Sequence, residues 1–398
     1  MKENIKGTSI LDRKGAGKEF FCVVVILTIN MLFSIKYISR YTDYYPLIIS
    51  FLLCFHVVLF CMGERVLRVM QERTLLISSV LSLFCFALVC LFVWNKVPVN
   101  SLNVDRWSVI TSFWDSYFDG RYVYYALSHL GNHPGPMPFY FIIALPFYFI
   151  GELGFLSLAG VFLLFLLLKL ARVGTSAFLL VILLLVMTSP FYLWEVLVRS
   201  NIFLNSVLVL GSLVVFLKAK NYNTLKSQFM IGIIIGLLLS TRNVFALCYI
   251  ILFSYSIRVG KISISSIFKI GIIAASTFVA TFLPFLIGFF DNFVLLNPFI
   301  IQSSFLMPFV WVLIAVFFTC FMFFFCEEDA DLFFYCGVAL FVTILLYTIY
   351  HVLDSSVYTS LIKESSIDVS YLILCIPFFL YYIVLKASDG KNSGSTVV

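Results

Sequence analysis

Stretches of roughly 15 to 22 predominantly apolar residues recur along nearly the whole chain, and a run of that kind is the length a helix needs to cross a bilayer. Lipid offers no partner to a backbone N–H or C=O, so a spanning segment must satisfy its own hydrogen bonds, as a helix does, or close into a barrel. A barrel would alternate apolar and polar residues over short segments; Leu179 to Met187 is apolar on every side. The chain therefore reads as an all-α polytopic membrane protein. Composition agrees: 62% of the 398 residues are hydrophobic and 12% are charged, about half the charged share of a soluble domain.

About twelve spans are expected, near 20–36, 47–62, 75–94, 153–169, 175–190, 201–217, 228–241, 243–257, 269–288, 305–325, 332–350 and 371–386. The formal charge of +6 is too small and dispersed for a nucleic-acid footprint; it orients loops instead. Basic clusters at Lys2 to Lys18, Arg65/Arg68/Arg73, Lys169/Arg172, Lys218/Lys220/Lys226, Arg258/Lys261/Lys269 and Lys386/Lys391 alternate consistently with twelve crossings if all are cytoplasmic. Both termini are then inside, with 95–135, 189–200, 240–243, 291–304 and 351–370 at the extracytoplasmic face. Pro136 to Ile150 would reverse every later loop if it crossed, so it is expected to enter only part of the membrane. The N-terminal apolar stretch lacks a small-residue cleavage site and reads as an uncleaved anchor. The ten cysteines show no C-x-x-C pair and read as core residues. No repeat or linker divides the chain: a single membrane domain over 1–398 is expected, with a flexible tail at 387–398.

The outer loop 95–135 mixes aspartates with aromatic residues. Trp107, Ile110, Trp114 and Tyr117 fall on one helical face, the pattern of an interfacial helix that could hold a lipid-linked substrate or simply form an aromatic belt. Asp105, at the start of this loop, can serve as a general base or as the N-cap of a helix beginning at Arg106. Asp115 is a weaker candidate, and Asp119-Gly120 reads first as a helix end. Charged residues in or beside apolar segments, namely Glu195, Arg199, Arg242 and Asp291, point to function because burying them is costly. Glu195 and Arg199 are four apart and could neutralise each other. Arg199 and Arg242 both fall near the outer boundary, where two guanidiniums would suit a phosphate. His133, in a proline turn, could bind phosphate, carry a proton or do neither. Hydrolytic zinc motifs and phosphate-cradling P-loops are absent from the sequence.

In this order the motifs resemble those of the GT-C superfamily, integral-membrane glycosyltransferases that use polyprenyl-phosphate sugars. The resemblance spans about residues 100–305 and rests on Asp105 opening the outer loop, Gly120-Arg121-Tyr122-Val123-Tyr124, His133-Pro134-Gly135-Pro136, Ser189-Pro190 leading to Arg199-Ser200-Asn201, Ser240-Thr241-Arg242, and Pro284-Phe285 followed by Asn297-Pro298-Phe299. Three features depart from the pattern: the acid follows the third span and not the first, Arg106 stands where a second acid is usual, and Gly135 replaces a proline.

The resemblance implies a GT-C-like fold and transfer of a sugar from a polyprenyl-phosphate donor to an acceptor hydroxyl on a lipid or glycan, at the extracytoplasmic face of the plasma or inner membrane, for cell-envelope assembly. Asp105 would be the base; Arg199, Arg242 and His133 would hold the donor phosphate; Arg106, Asp119, Tyr124 and Asn201 would contact substrate. No cofactor is implied and no nucleic-acid partner. The rivals are a flippase for a lipid-linked glycan, a glycan polymerase or ligase, and a structural membrane subunit whose polar residues only join helices.

Overall fold

The computed structural model describes residues 16–67, 69–170, 176–219, 222, 224–305, 307–353 and 367–392. All regular structure among them is helical. The α-helices are α1 (Ala16–Phe33), α2 (Tyr45–Leu67), α3 (Glu72–Lys96), α4 (Arg106–Phe118), α5 (Pro138–Ile150), α6 (Phe155–Leu170), α7 (Ser176–Thr188), α8 (Pro190–Leu197), α9 (Ile202–Lys218), α10 (Leu225–Leu239), α11 (Ala246–Arg258), α12 (Ile264–Ala280), α13 (Leu283–Leu286), α14 (Phe290–Leu295), α15 (Pro298–Phe305), α16 (Phe309–Met322), α17 (Asp329–Leu353) and α18 (Ile376–Asn392).

Six helices are long and apolar enough to cross a membrane, or up to eight if each of two bent pairs is one span. Those pairs are α5 with α6, bent by 116°, and α7 with α8, bent by 59°. This is a multi-pass membrane protein. Of the twelve expected spans, the four on α9, α10, α11 and α16 are shorter apolar helices. α9 explains how a short helix is accommodated: Phe203, Val207, Leu210 and Leu213 are fully buried, so protein and not lipid surrounds most of it.

Three sequence expectations change. Within the segment expected to enter only part of the membrane, the prolines do not break the helix: Pro138–Ile150 is a 13-residue helix with Pro138 at its first position and Pro146 inside, and it turns at Gly151 (φ +84°) into α6 at 116°, a bend that a partial entry allows. The Trp107/Ile110/Trp114 face of α4 does not lie free in an interface: Ile110 and Trp114 are buried, and the Trp114 indole N–H donates to the Phe141 carbonyl of α5 at 3.1 Å. α18 continues to Asn392, through the first part of the stretch expected to be a flexible tail; 393–398, like 1–15, 171–175 and 354–366, lie outside the described residues. Of the ten cysteines, Cys54, Cys61, Cys85 and Cys320 sit on faces of α2, α3 and α16 that the protein does not cover, and the other six are buried.

Close helix contact rests on small residues. In Gly232-x-x-x-Gly236 of α10, a Cβ at Gly236 would lie 2.4 Å from the Ala274 carbonyl oxygen of α12, so only glycine permits this approach.

Polar contacts gather at the two ends of the bundle. At one end Lys18 pairs with Asp331 at 2.6 Å, Lys261 with Asp329 at 2.7 Å, and Lys386 with Glu328. At the other, Arg106 pairs with Asp368, Arg199 with Glu152 at 3.4 Å, and Lys36 donates to the Ile367 carbonyl at 2.6 Å. Helix ends that charge alternation assigns to one side of the membrane thus meet at one end of the fold. The cavity described next lies at the second end.

Candidate functional site

The outer loop enters α4 at Asp105, which stands at the N-cap position without capping through its side chain. Its backbone carbonyl accepts from the Val109 N–H at 2.9 Å, the first turn of the helix. The carboxylate turns away from the helix axis: Oδ2 accepts from Ser128 Oγ at 2.6 Å and from Asn132 Nδ2 at 2.7 Å. These donors come from a tight turn in which the Asn132 N–H donates to Ser128 Oγ at 3.1 Å and Gly131 adopts φ +80°. His129 ties the turn to α4, with Nδ1 2.7 Å from Ser108 Oγ and its ring stacked on Trp107.

Arg242 is presented by a break in the chain. α10 ends at Leu239, Arg242 is extended (φ −151°, ψ 123°), and a short 3-10 turn at Asn243–Phe245 leads into α11. The break is anchored from both sides. Ser240 Oγ lies 2.7 Å from Thr281 Oγ1 beyond α12, and the Ser240 carbonyl accepts from the Phe139 N–H of α5 at 2.9 Å. The guanidinium lies between the rings of Tyr140 and Tyr371, at 5.4 and 5.2 Å from their centroids. Arg242 is only 8% exposed, yet its Nε and Nη2 are buried with no hydrogen-bond partner. Among the described residues no acidic side chain pairs directly with it, so this buried guanidinium keeps donors with which an anion could bond.

Arg106 differs. It pairs with Asp368 and donates to Ser370 Oγ at 2.9 Å, and it also lies over Tyr371, at 5.7 Å. Because both guanidiniums sit on one ring, their carbons are at most about 11 Å apart. For Asp368 burial works against ionisation, but the Arg106 charge, the Ser370 hydrogen bonds and Lys36 outweigh it and hold the carboxyl below its usual range.

These groups line one cavity of about 420 Å³. Its polar wall carries Asp105, Arg106, Asn132, His133, Arg242 and Gln302; its apolar wall is built by Leu247 and Ile250 of α11, Val312, Ala315 and Val316 of α16, and Ile344 of α17. His133 Nδ1 lies 3.2 Å from the Ala126 carbonyl. Such a mostly apolar cavity with a few convergent polar groups is the usual form of a small-molecule site. Among the described residues no three His, Cys, Asp or Glu side chains gather to hold a metal ion.

Of the residues singled out from sequence, the structure brings Asp105, Arg106, His133 and Arg242 together on this cavity. Arg199, Asp119, Tyr124 and Asn201 are not on its wall. Arg199 is buried, in the left-handed region at φ +54°, and donates to the carbonyls of Trp94 at 2.9 Å, Val97 at 3.2 Å and Leu197 at 2.9 Å, closing the ends of α3 and α8. Its ion partner is Glu152 and not Glu195, four residues before it; Glu195 instead accepts from the Phe203 N–H at the start of α9 at 2.9 Å. Asp119 forms an exposed pair with Arg121 at 2.6 Å. Tyr124 is fully buried against Phe113, and Asn201 is buried at the N-cap position of α9 with both amide atoms unpartnered. Asp291 is exposed on α14.

Tyr140, Tyr371, Asn132 and Gln302 complete the cavity wall, and Asp368 stands behind it as the partner of Arg106; none was apparent from sequence. For Asn132 a signal existed, its place beside His133 in a polar turn of an apolar chain; for the tyrosines none did, since tyrosine is common throughout. Compared with protein-family models, curated proteins and solved structures, the chain matches none.

Proposed function

We propose that the protein is a GT-C-like glycosyltransferase that moves a sugar from a polyprenyl-phosphate donor to an acceptor hydroxyl at the extracytoplasmic face of the membrane. The observation that carries the reading is one cavity holding the Asp105 carboxylate and the unpartnered Arg242 guanidinium, with an apolar wall between α11, α16 and α17. The donor phosphate falls to Arg242 with His133 beside it, and the lipid chain lies along the apolar wall. Arg199 takes no part: it lies off the cavity wall, with its Nη donors on carbonyls of the scaffold and its Nε facing Glu152 at 3.4 Å.

Asp105 takes the acceptor proton as the acceptor oxygen attacks the anomeric carbon. The bond from that carbon to the phosphate oxygen breaks with inversion, and the electron pair leaves on the lipid phosphate, where Arg242 stabilises the developing charge. The four shorter apolar helices cross as well, bringing the number of spans to twelve. The cavity end then faces outward, since the opposite end carries the Lys18, Lys261 and Lys386 pairs.

The test is release of polyprenyl phosphate from a radiolabelled polyprenyl-phosphate hexose by purified protein in liposomes. Asp105→Asn keeps expression, folding and lipid-phosphate binding but lowers turnover by about 10²- to 10⁴-fold, the worth of a general base. Undiminished turnover in that variant removes Asp105 from the chemistry. Saturable lipid-phosphate binding with no turnover in the wild type favours the flippase instead.

A further inference from the structure

A second cavity, of about 670 Å³, opens beside the first. From α4 it takes Ser112, Asp115 and Ser116, where the first cavity takes Asp105, Arg106 and Val109. Val109, Ser112 and Ser116 follow Asp105 at the spacing of one helix face, so both cavities lie on the same side of α4. The loop carries them past each other: Ala126 lines the second cavity, Asn132 and His133 the first, and the His133 ring meets the Ala126 carbonyl at their junction. The α14–α15 region borders both, through Asn292 on one side and Gln302 on the other. Tyr122 fixes that border by donating to the Leu296 carbonyl at 2.7 Å. Along the helix axis, Ser112 lies about 10 Å and Ser116 about 16 Å beyond Asp105. That length accommodates a few linked sugar rings.

The lining matches such a chain. Tyr122, Tyr125 and Phe289 form a wall of rings, with Tyr122 centred 5.0 Å from Tyr125 and 5.9 Å from Phe289. Tyr125 is 42% exposed and offers both an apolar face and a hydroxyl. Around the rings stand groups that give and accept hydrogen bonds: Ser112, Ser116, Asn292, Asp115 and Arg121. Arg121 is already paired with Asp119, and Asp115 accepts from the Tyr148 hydroxyl at 2.6 Å, so the lining offers no unpaired cation to a polyanion and suits a neutral ligand. The continuous apolar wall that a lipid acceptor would need is found in the first cavity and not here.

We propose that the second cavity is the acceptor subsite, and that the acceptor is a neutral oligosaccharide whose inner sugars rest against Tyr122 and Tyr125 while its terminal hydroxyl reaches Asp105. This rests on the glycosyltransferase reading and adds to it the class of acceptor.

The test is binding of gluco- and manno-configured oligosaccharides, from monosaccharide to tetrasaccharide, to the full-length protein in detergent, followed by saturation-transfer NMR and titration calorimetry. Affinity rises by about tenfold or more from monosaccharide to tetrasaccharide in the wild type and in Asp105→Asn, and the rise disappears in Tyr125→Ala and Asn292→Ala. Both substitutions fall on the cavity rim, and unchanged thermal unfolding and lipid-phosphate binding show that each variant is folded. Affinity independent of chain length, or a rise that survives both rim substitutions, overturns the proposal. The two readings fail separately. Donor turnover without length-dependent binding removes the acceptor subsite and leaves the transferase; length-dependent binding lost in Tyr125→Ala, with no donor turnover, removes the transferase and leaves an oligosaccharide site.

Discussion

Replacing Arg242 with methionine should make the ligand-free protein more stable and the liganded protein less so. The Arg242 side chain is buried, and two of its nitrogens lack any partner. Each unmet donor costs about 1–3 kcal/mol, while each of its two ring contacts returns about 0.5–2 kcal/mol. The balance is a penalty of about 1 kcal/mol in the empty state. Methionine keeps the length and apolar volume of the side chain and removes that penalty, so the Tm of the empty protein rises by about 2 °C. A phosphate bound at Arg242 makes charge-assisted hydrogen bonds worth about 1.5–3 kcal/mol each, so affinity for a polyprenyl phosphate falls roughly 10- to 150-fold. Thermal unfolding of purified protein in detergent, with and without polyprenyl phosphate, reads both effects in one experiment. A lower Tm in the empty variant together with an undiminished shift on adding lipid phosphate would refute the reasoning, because Arg242 would then be a structural cation.

Two further outcomes concern the scaffold. The Asp368 carboxyl is held below its usual range because Arg106, Ser370 and Lys36 outweigh the burial that opposes ionisation; its contribution to stability is therefore present above the unfolded value of about 3.9 and lost as pH falls through the lower folded value. Asp368→Asn should lower the Tm at neutral pH and shrink the difference between variant and wild type below about pH 4, whereas a constant offset down to pH 2 would exclude this linkage. Gly236→Val forces a side chain into the 2.4 Å gap against the Ala274 carbonyl, and separating α10 from α12 should cost about 1–3 kcal/mol, seen as a lower unfolding midpoint; an unchanged midpoint would mean the helices are not held at that distance.

Much of the architecture was legible in the sequence for a single reason: lipid leaves a backbone no partner but itself. Among the described residues each of the twelve apolar segments overlaps a helix, six of them long and apolar enough to cross a membrane alone. What misled was short-range inference. Pro136, Pro138 and Pro146 suggested irregular helical bonding, yet Pro138 opens α5 and Pro146 is absorbed within it; the interruption comes after Gly151, where α5 meets α6 at 116°. Glu195 and Arg199 look like a pair at helical spacing, but α8 ends at Leu197, and the left-handed turn at Arg199 sends its side chain to α3 and Glu152 instead. The amphipathic face of α4 suggested a membrane interface because sequence shows that a face is apolar and not what covers it; here α5 does.

Residue types and hydropathy alone determined that the chain is helical and passes repeatedly through a membrane, and that Asp105 and Arg242 are unusual places for charge. Whether those charges belong together was decided by tertiary structure. Asp105 and Arg242 are separated by well over a hundred residues, and only packing brings the α10–α11 break, the α4 turn and Tyr371 around one cavity. The same packing separates the two arginines that sequence had joined: Arg199 gives its Nη donors to carbonyls and faces Glu152, off the cavity, while Arg242, over two tyrosine rings on the cavity wall, keeps Nε and Nη2 without a partner. Availability of a buried cation is a property of its neighbours in space, and sequence order does not encode those neighbours locally.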